Sequence, residues 1–178
     1  MSYGKSYDQA HMARAFLSDA IEKAINPANT TGKNQDIEKG LVHANNAILE
    51  DNKNPHAYIM AARLFELQGP DRIAFARLIY HNALDILEAP NISNDSKHKK
   101  VSFDTKTMLI ETHLGLAKIA REVGDISMET KHIQVLKELV NECDARAPSI
   151  IDEIPDLRNR INDTLPPPPQ LSTAELTA

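Results

Sequence analysis

PHAYIMAARLFELQGPDRIAFARLIYHNALDILEAP, residues 55–90, decides the fold. Ala57, Ala61, Leu64 and Phe65 recur at the spacing of one helical face, and Asn54-Pro55 just before them reads as an N-cap followed by proline at the first helical position. Gly69-Pro70-Asp71 closes this helix and opens the next with almost no linker, so the two must fold back as a hairpin. The second helix carries Ile73, Ala76, Ile79, Tyr80, Ala83, Leu84 and Leu87, and Pro90 stops it.

The same reading extends outward on both sides. A first helix over about Asp8–Ile25 places Met12, Phe16, Leu17, Ala20, Ile21 and Ala24 on one face, and a polar loop follows to Gln35. A helix over about Asp36–Glu50 aligns Ile37, Leu41, Ala44 and Ile48. Beyond Pro90, residues 91–102 read as a polar loop. Asp104 caps a helix with Leu109, Thr112, Leu116, Ile119 and Val123, and Gly124-Asp125 turns it tightly into another with Ile133, Leu136, Val140 and Cys143 inside. After Pro148 a weaker helix offers Ile151, Ile154, Leu157, Ile161 and Leu165, and Pro155 predicts a kink or restart within it. The expectation is one all-α domain over residues 1–165, built of stacked antiparallel helical hairpins with about six to seven helices. Residues 166–178, beginning PPPP, read as a Pro-rich flexible tail.

Composition agrees with helices. Of 178 residues, 42% are hydrophobic and 25% charged, enough to bury a core, while aromatics stand at 4% and glycines at six, too few for a sandwich or barrel. A net charge of −5 supplies no general attraction to nucleic acid or anionic membrane. The start, MSYGKSYDQA, lacks the apolar stretch of a signal peptide, and no apolar run approaches the length of a membrane span. The single cysteine, Cys143, has no internal partner, so a cytoplasmic, reducing setting is expected, and the Asn-x-Ser/Thr triplets at Asn29, Asn91, Asn94 and Asn162 read as chance matches.

The odd-numbered helices share a pattern: Ala13-Arg14-Ala15-Phe16, Ala62-Arg63-Leu64-Phe65 and Ala117-Lys118-Ile119-Ala120, each with a cation after an alanine, 49 and 55 residues apart. Tyr58-x2-Ala61-Ala62-x2-Phe65 followed by Gly69 resembles the first helix of a tetratricopeptide repeat. Ala76-x3-Tyr80-x2-Ala83 before Pro90 resembles the second. Gly40-x3-Ala44-x2-Ala47 ahead of Pro55 is a weaker second helix. The chain is thus similar, over about residues 8–145, to a degenerate tetratricopeptide-repeat protein, although its spacings exceed that family's period of about 34 residues. A generic helical bundle with Ala and aromatic packing is the alternative.

The resemblance implies that the first helix of each hairpin lines a groove for a partner segment. Carried over position by position, the groove takes Arg14 from the first helix, Ile59 and Arg63 from the third, and Leu114, Lys118 and Arg121 from the fifth, with Ala10, Leu17 and Glu66 beside them. Arg14, Arg63 and Lys118 would then form a cationic row, open to solvent, suited to acidic side chains or a terminal carboxylate. The expected function is a protein–protein interaction module: an adaptor, escort chaperone or assembly subunit, with a second copy of the chain as a further candidate partner. The competing expectation is a ligand-binding bundle or enzyme with a site between helices.

Other chemistry finds little support. Glu129-x-x-His132 has the spacing of a di-iron bundle but no second such pair faces it, Glu111 and His113 are two apart, and His81 with Asp85 reads as a surface pair, so no metal is expected. His132 is expected at the surface. Cys143 lies on an apolar stripe, Gly32-Lys33 lacks the rest of a phosphate loop, and Lys97-His98-Lys99-Lys100 lacks interleaved aromatics. No catalytic residue, cofactor, nucleic acid or membrane insertion is expected.

Overall fold

The computed structural model describes residues 3–25, 29–89, 101–146, 149–152, 154 and 156–165. These form α1 (Tyr3–Ala24), α2 (Thr30–Glu50), α3 (Pro55–Gln68), α4 (Ile73–Leu87), α5 (Val101–Glu122), α6 (Ile126–Arg146), α7 (Ser149–Asp152) and α8 (Leu157–Thr164), with a short 3-10 turn at Pro70–Arg72 leading into α4. Among the described residues there is no strand, and no helix is long and apolar enough to cross a membrane. Residues 91–100 and the tail from Pro166 lie outside the described residues.

Three hairpins, α1–α2, α3–α4 and α5–α6, pack in series. Each odd helix also touches the next odd helix, and each even helix leans on the odd helix that follows it. α3 is consequently surrounded, and every residue from Pro55 to Leu64 except Tyr58 is buried. Its cap sets the register: Asn54 accepts from the His56 backbone N–H at 3.1 Å and donates to Ser6 Oγ at 2.9 Å, while Ser6 donates to the Ala47 carbonyl at 2.9 Å. One buried side-chain chain thereby joins α1, α2 and α3.

The turn between α5 and α6 is a Schellman motif. Asp125 N–H reaches the Ala120 carbonyl at 2.8 Å and Gly124 N–H the Arg121 carbonyl at 3.1 Å, with Gly124 at φ 74°. Asp125 then caps α6, its Oδ1 accepting from Met128 N at 3.0 Å.

Several boundaries differ from expectation. α1 begins at Tyr3 rather than Asp8, α2 at Thr30 rather than Asp36, and α5 at Val101 rather than Asp104. In the extra turns of α2, Gly32 lies beside the Lys23 side chain of α1, whose Nζ meets Asp36 at 2.5 Å just beyond them; tertiary contact extends a segment whose own sequence reads as polar loop. The buried stripe of α1 is Ala10, Ala13, Leu17 and Ala20, a step round from the expected face, and Met12 is exposed. Val123, expected inside, is also exposed.

Two apolar clusters share α5. Leu116 and Ile119 face the α1–α4 core with Tyr80, Leu64 and Ala83, whereas Ile110 and Leu114 face Leu136, Val140 and Cys143 of α6. The C-terminal segment completes the second cluster through Ile151, Leu157 and Ile161. Arg158 fastens it, bidentate to Asp144 at 2.8 and 3.1 Å and to Asp152 at 2.8 Å.

Candidate functional site

α1, α3 and α5 lie side by side, and the cations at their equivalent positions border one cleft, with α8 as its fourth wall. Arg14 Nη2 reaches Glu111 Oε1 at 3.3 Å, and Arg63 Nη1 reaches the same oxygen at 3.5 Å. Lys118 Nζ lies 3.0 Å from Glu66 Oε2, and the hydroxyl of buried Tyr80 donates to the other Glu66 oxygen. Arg121 sits further along α5, where its Nε pairs with Glu129 at 2.6 Å and its Nη2 donates to the Thr164 carbonyl of α8 at 3.1 Å.

The expected open row is therefore corrected in three places. Arg63 retains only 7% exposure, because α3 is the central helix and its cationic position points between α1 and α5. Ile59 and Leu114 are core residues, Ile59 within the α1–α4 cluster and Leu114 beneath α6 and α8. Ala10 and Leu17 are likewise buried. Arg14 is part-exposed, Lys118 is half-exposed at the cleft's rim, and Arg121, also half-exposed, lines none of the cavities described below.

Burial and charge oppose each other inside this cleft. Burial pushes the Glu111 carboxyl up, but Arg63, Arg14 and Arg160 outweigh it and hold the group below its ordinary value, so Glu111 is ionised. The Arg63 guanidinium is lowered first by burial and next by Arg160, whose like charge counts for more than the attraction of Glu111. Tyr80 is raised well above its ordinary value by burial and by Glu66, so it remains a donor.

Three cavities follow the cleft. One of about 280 Å³ is bordered by Tyr7, His11, Arg14, His56, Thr107 and Glu111, with Met108 and Ile154 completing its lining. Burial drives His56 down to about 4, overriding the pull of Glu111, and its Nε2 has no hydrogen-bond partner among the described residues. A second, of about 270 Å³, runs from Arg14 past Leu17 and Ile21 to Arg63 and Asp156. The third, about 210 Å³ and open to solvent on one side, is lined by Leu17, Ile21, Arg63, Glu66, Leu67, Lys118, Asp156 and Arg160. Asp156 stands at φ 67°, a left-handed conformation rare outside glycine, asparagine and aspartate, where the chain turns into α8.

Sequence reasoning missed His56 and Arg160, and weighed Glu111 only as a metal ligand. The signal for Arg160 was present: Leu157 and Ile161 define the docking stripe of α8, and position 160 lies beside it. Histidine placement needs correction too. His132, expected at the surface, is 2% exposed and its Nδ1 lies 2.9 Å from Nδ1 of His113, itself buried. Burial first, then neighbouring charges, lowers both to about 4, which leaves two neutral rings sharing one proton-bearing contact. No group of three or more metal-ligating residues occurs among the described residues. Cys143 is buried, with its thiol raised by that burial.

No protein-family model, no curated protein and no solved structure matches the chain.

Proposed function

We propose that this chain is a protein–protein interaction module whose cleft between α1, α3 and α5 receives a segment of a partner protein carrying acidic residues or a free carboxylate. The observation that carries this reading is the placement of Arg14, Arg63 and Lys118, from three separate helices, along two cavities that share Arg63, Leu17, Ile21 and Asp156. The serial packing of hairpins, with odd helix against odd helix, supports a tetratricopeptide-like arrangement. The partner's carboxylate would compete with Glu66 for Lys118 and with Glu111 for Arg14, so selectivity comes from replacing an internal ion pair rather than from an empty basic surface. A cytoplasmic setting suits the single, buried thiol of Cys143.

A second reading, a small-ligand site between helices, is favoured by one feature: the cavity around His56, His11, Thr107 and Glu111, with an unpaired imidazole nitrogen at its wall. The two readings separate in one experiment. The immobilised full chain is challenged with an array of acidic and neutral peptides at two salt concentrations, beside the double variant Arg14→Gln/Lys118→Gln. The interaction reading expects acidic peptides to bind the parent, binding to weaken with salt, and the double variant to lose it. Retention of the same peptides by the double variant would remove the cationic cleft from recognition, and no peptide binding at all would leave the small-ligand reading.

A further inference from the structure

We propose that Arg63 of α3 and Arg160 of α8 form a two-arginine clamp for a single carboxylate, held in the cavity between α1, α3 and α8. This names the anchoring point within the cleft described above and rests on the interaction reading.

The argument begins with an imbalance. The cavity is bordered by three cations, Arg63, Lys118 and Arg160, and by two carboxylates, Glu66 and Asp156. Glu66 is already engaged by Lys118 and by the Tyr80 hydroxyl. Glu111, on the far side of Arg63, is shared between Arg63 and Arg14. Asp156 is exposed at the cavity's edge. Arg160, half-buried, acts on Glu111 only at a distance, and its Nη1 is buried and finds no hydrogen-bond partner among the described residues.

A buried guanidinium nitrogen without an acceptor costs several times what an exposed one does, and two guanidinium groups close together in a low-dielectric cleft repel. Natural folds avoid this arrangement unless something occupies the space between the groups. Arg63 and Arg160 both line this cavity, and the like charge of Arg160 lowers Arg63. A carboxylate between them would supply acceptors to both, neutralise the excess positive charge and fit a space of about 210 Å³. Leu17, Ile21 and Leu67 complete the lining, so the group bearing the carboxylate should present an apolar side chain next to it. A peptide's C-terminal residue of aliphatic type meets both requirements, as does an aliphatic monocarboxylic acid.

The test uses the full chain and defined probes. Binding is measured calorimetrically at low ionic strength for an N-acetylated dipeptide ending in leucine with a free carboxylate, for its C-terminal amide, for isovalerate and for inorganic phosphate. The free-carboxylate peptide is expected to bind and the amide not. Arg160→Gln is expected to lose at least about tenfold in affinity, the scale of one charged hydrogen bond, with Arg160→Lys intermediate because a point charge cannot grip both oxygens. Lys53→Gln, on the exposed α2–α3 turn, should match the parent. If only the peptide binds, the source is a chain terminus, as the interaction reading requires; if isovalerate binds as tightly as the peptide, the two-arginine clamp stands but its source is a free acid and the interaction reading fails.

Stability separates ligand binding from a structural role. Without any ligand, Arg160→Gln should melt no lower than the parent, because it removes a buried donor that has no acceptor, and the free-carboxylate peptide should raise the melting temperature of the parent alone. A markedly lower melting temperature for Arg160→Gln, equal binding of acid and amide, or preference for phosphate would each overturn the clamp. If Arg160→Gln binds every probe as the parent does while Arg14→Gln/Lys118→Gln loses partner peptides, the clamp is wrong and the interaction reading stands.

Discussion

The ring of Tyr80 lies directly over the backbone of Gly115: a Cβ added at Gly115 would sit 2.2 Å from the Tyr80 Cζ and 2.6 Å from its hydroxyl oxygen. This close approach seats α5 against α4 and delivers the Tyr80 hydroxyl to Glu66 inside the cleft. Core packing and site chemistry meet at this pair.

Gly115→Ala should therefore destabilise the protein. The substitution gains about 1 kcal/mol of helix propensity, but a methyl group within 2.2 Å of a fully buried ring forces α5 away or Tyr80 out of its rotamer. A net loss of about 1–3 kcal/mol is expected by urea denaturation. Tyr80→Leu should cost less in the Gly115→Ala background than in the parent, because the clash is gone. Additive costs for the two substitutions would show that the ring does not press on α5.

Glu111→Gln tests the buried network. The amide keeps the shape but withdraws the negative charge shared by Arg14 and Arg63, leaving Arg63 buried without a counter-ion. A loss of about 3–5 kcal/mol is expected, the usual range for breaking one side of a buried ion pair. Equilibrium unfolding that changes by less than about 1 kcal/mol would mean that water compensates Arg63 and that the cleft is wetter than its burial suggests.

Acid should weaken the fold below neutral pH. His56 titrates near 4 when folded, against 6.5 in an unfolded chain. Unfolded molecules thus take up a proton that folded ones refuse, so the stability is complete above pH 6.5 and lost as pH falls toward 4, by about 3 kcal/mol for His56 alone. His113 and His132 act in the same direction. Glu111, held below its ordinary value, adds a further loss at more acidic pH as its carboxylate protonates. Urea midpoints at pH 7.5, 6 and 5 should fall in that order, and His56→Gln should flatten the slope. A midpoint independent of pH over that range would contradict the burial of these rings.

Charge reversal should distinguish the cleft's interior from its rim. Arg63→Glu places a carboxylate beside Glu111 and Glu66 in a buried site and should unfold the protein or cost upward of about 4 kcal/mol. Lys118→Glu, at a side chain with 53% exposure, should leave the fold intact and lower the affinity for acidic partners. Circular dichroism showing both variants equally folded would place Arg63 at the surface after all.

The hairpins were legible because their punctuation is local. Asn54-Pro55, Gly69-Pro70 and Gly124-Asp125 each specify a cap or a turn through backbone preference alone, and the structure places a helix boundary at every one. The starts of α2 and α5 were not legible, since Thr30–Gln35 has no apolar stripe and depends on contact with α1. The direction of Arg63 was illegible for a related reason. Periodicity identifies a stripe that faces a core, but α3 has neighbours on all sides, so its polar face is buried as well. Glu111 was hidden by the same effect: a helix buried nearly all round at residues 110–117 carries its counter-ion where an amphipathic helix would carry solvent.

α8 spans only eight residues, too short to persist as a helix without its neighbours. Its order is borrowed from Ile151, Leu157 and Ile161 seated on α5 and α6, and from Arg158 on Asp144. Arg160 therefore stands at the cleft only in the fraction of molecules whose α8 is docked. Any apparent affinity that depends on this residue is the intrinsic affinity scaled by that fraction, so a tenfold drop in docking would read as a tenfold weaker ligand with no contact altered. Gentle warming or sub-denaturing urea should accordingly weaken recognition ahead of global melting, which makes the cleft a thermometer for the attachment of the chain's last described helix.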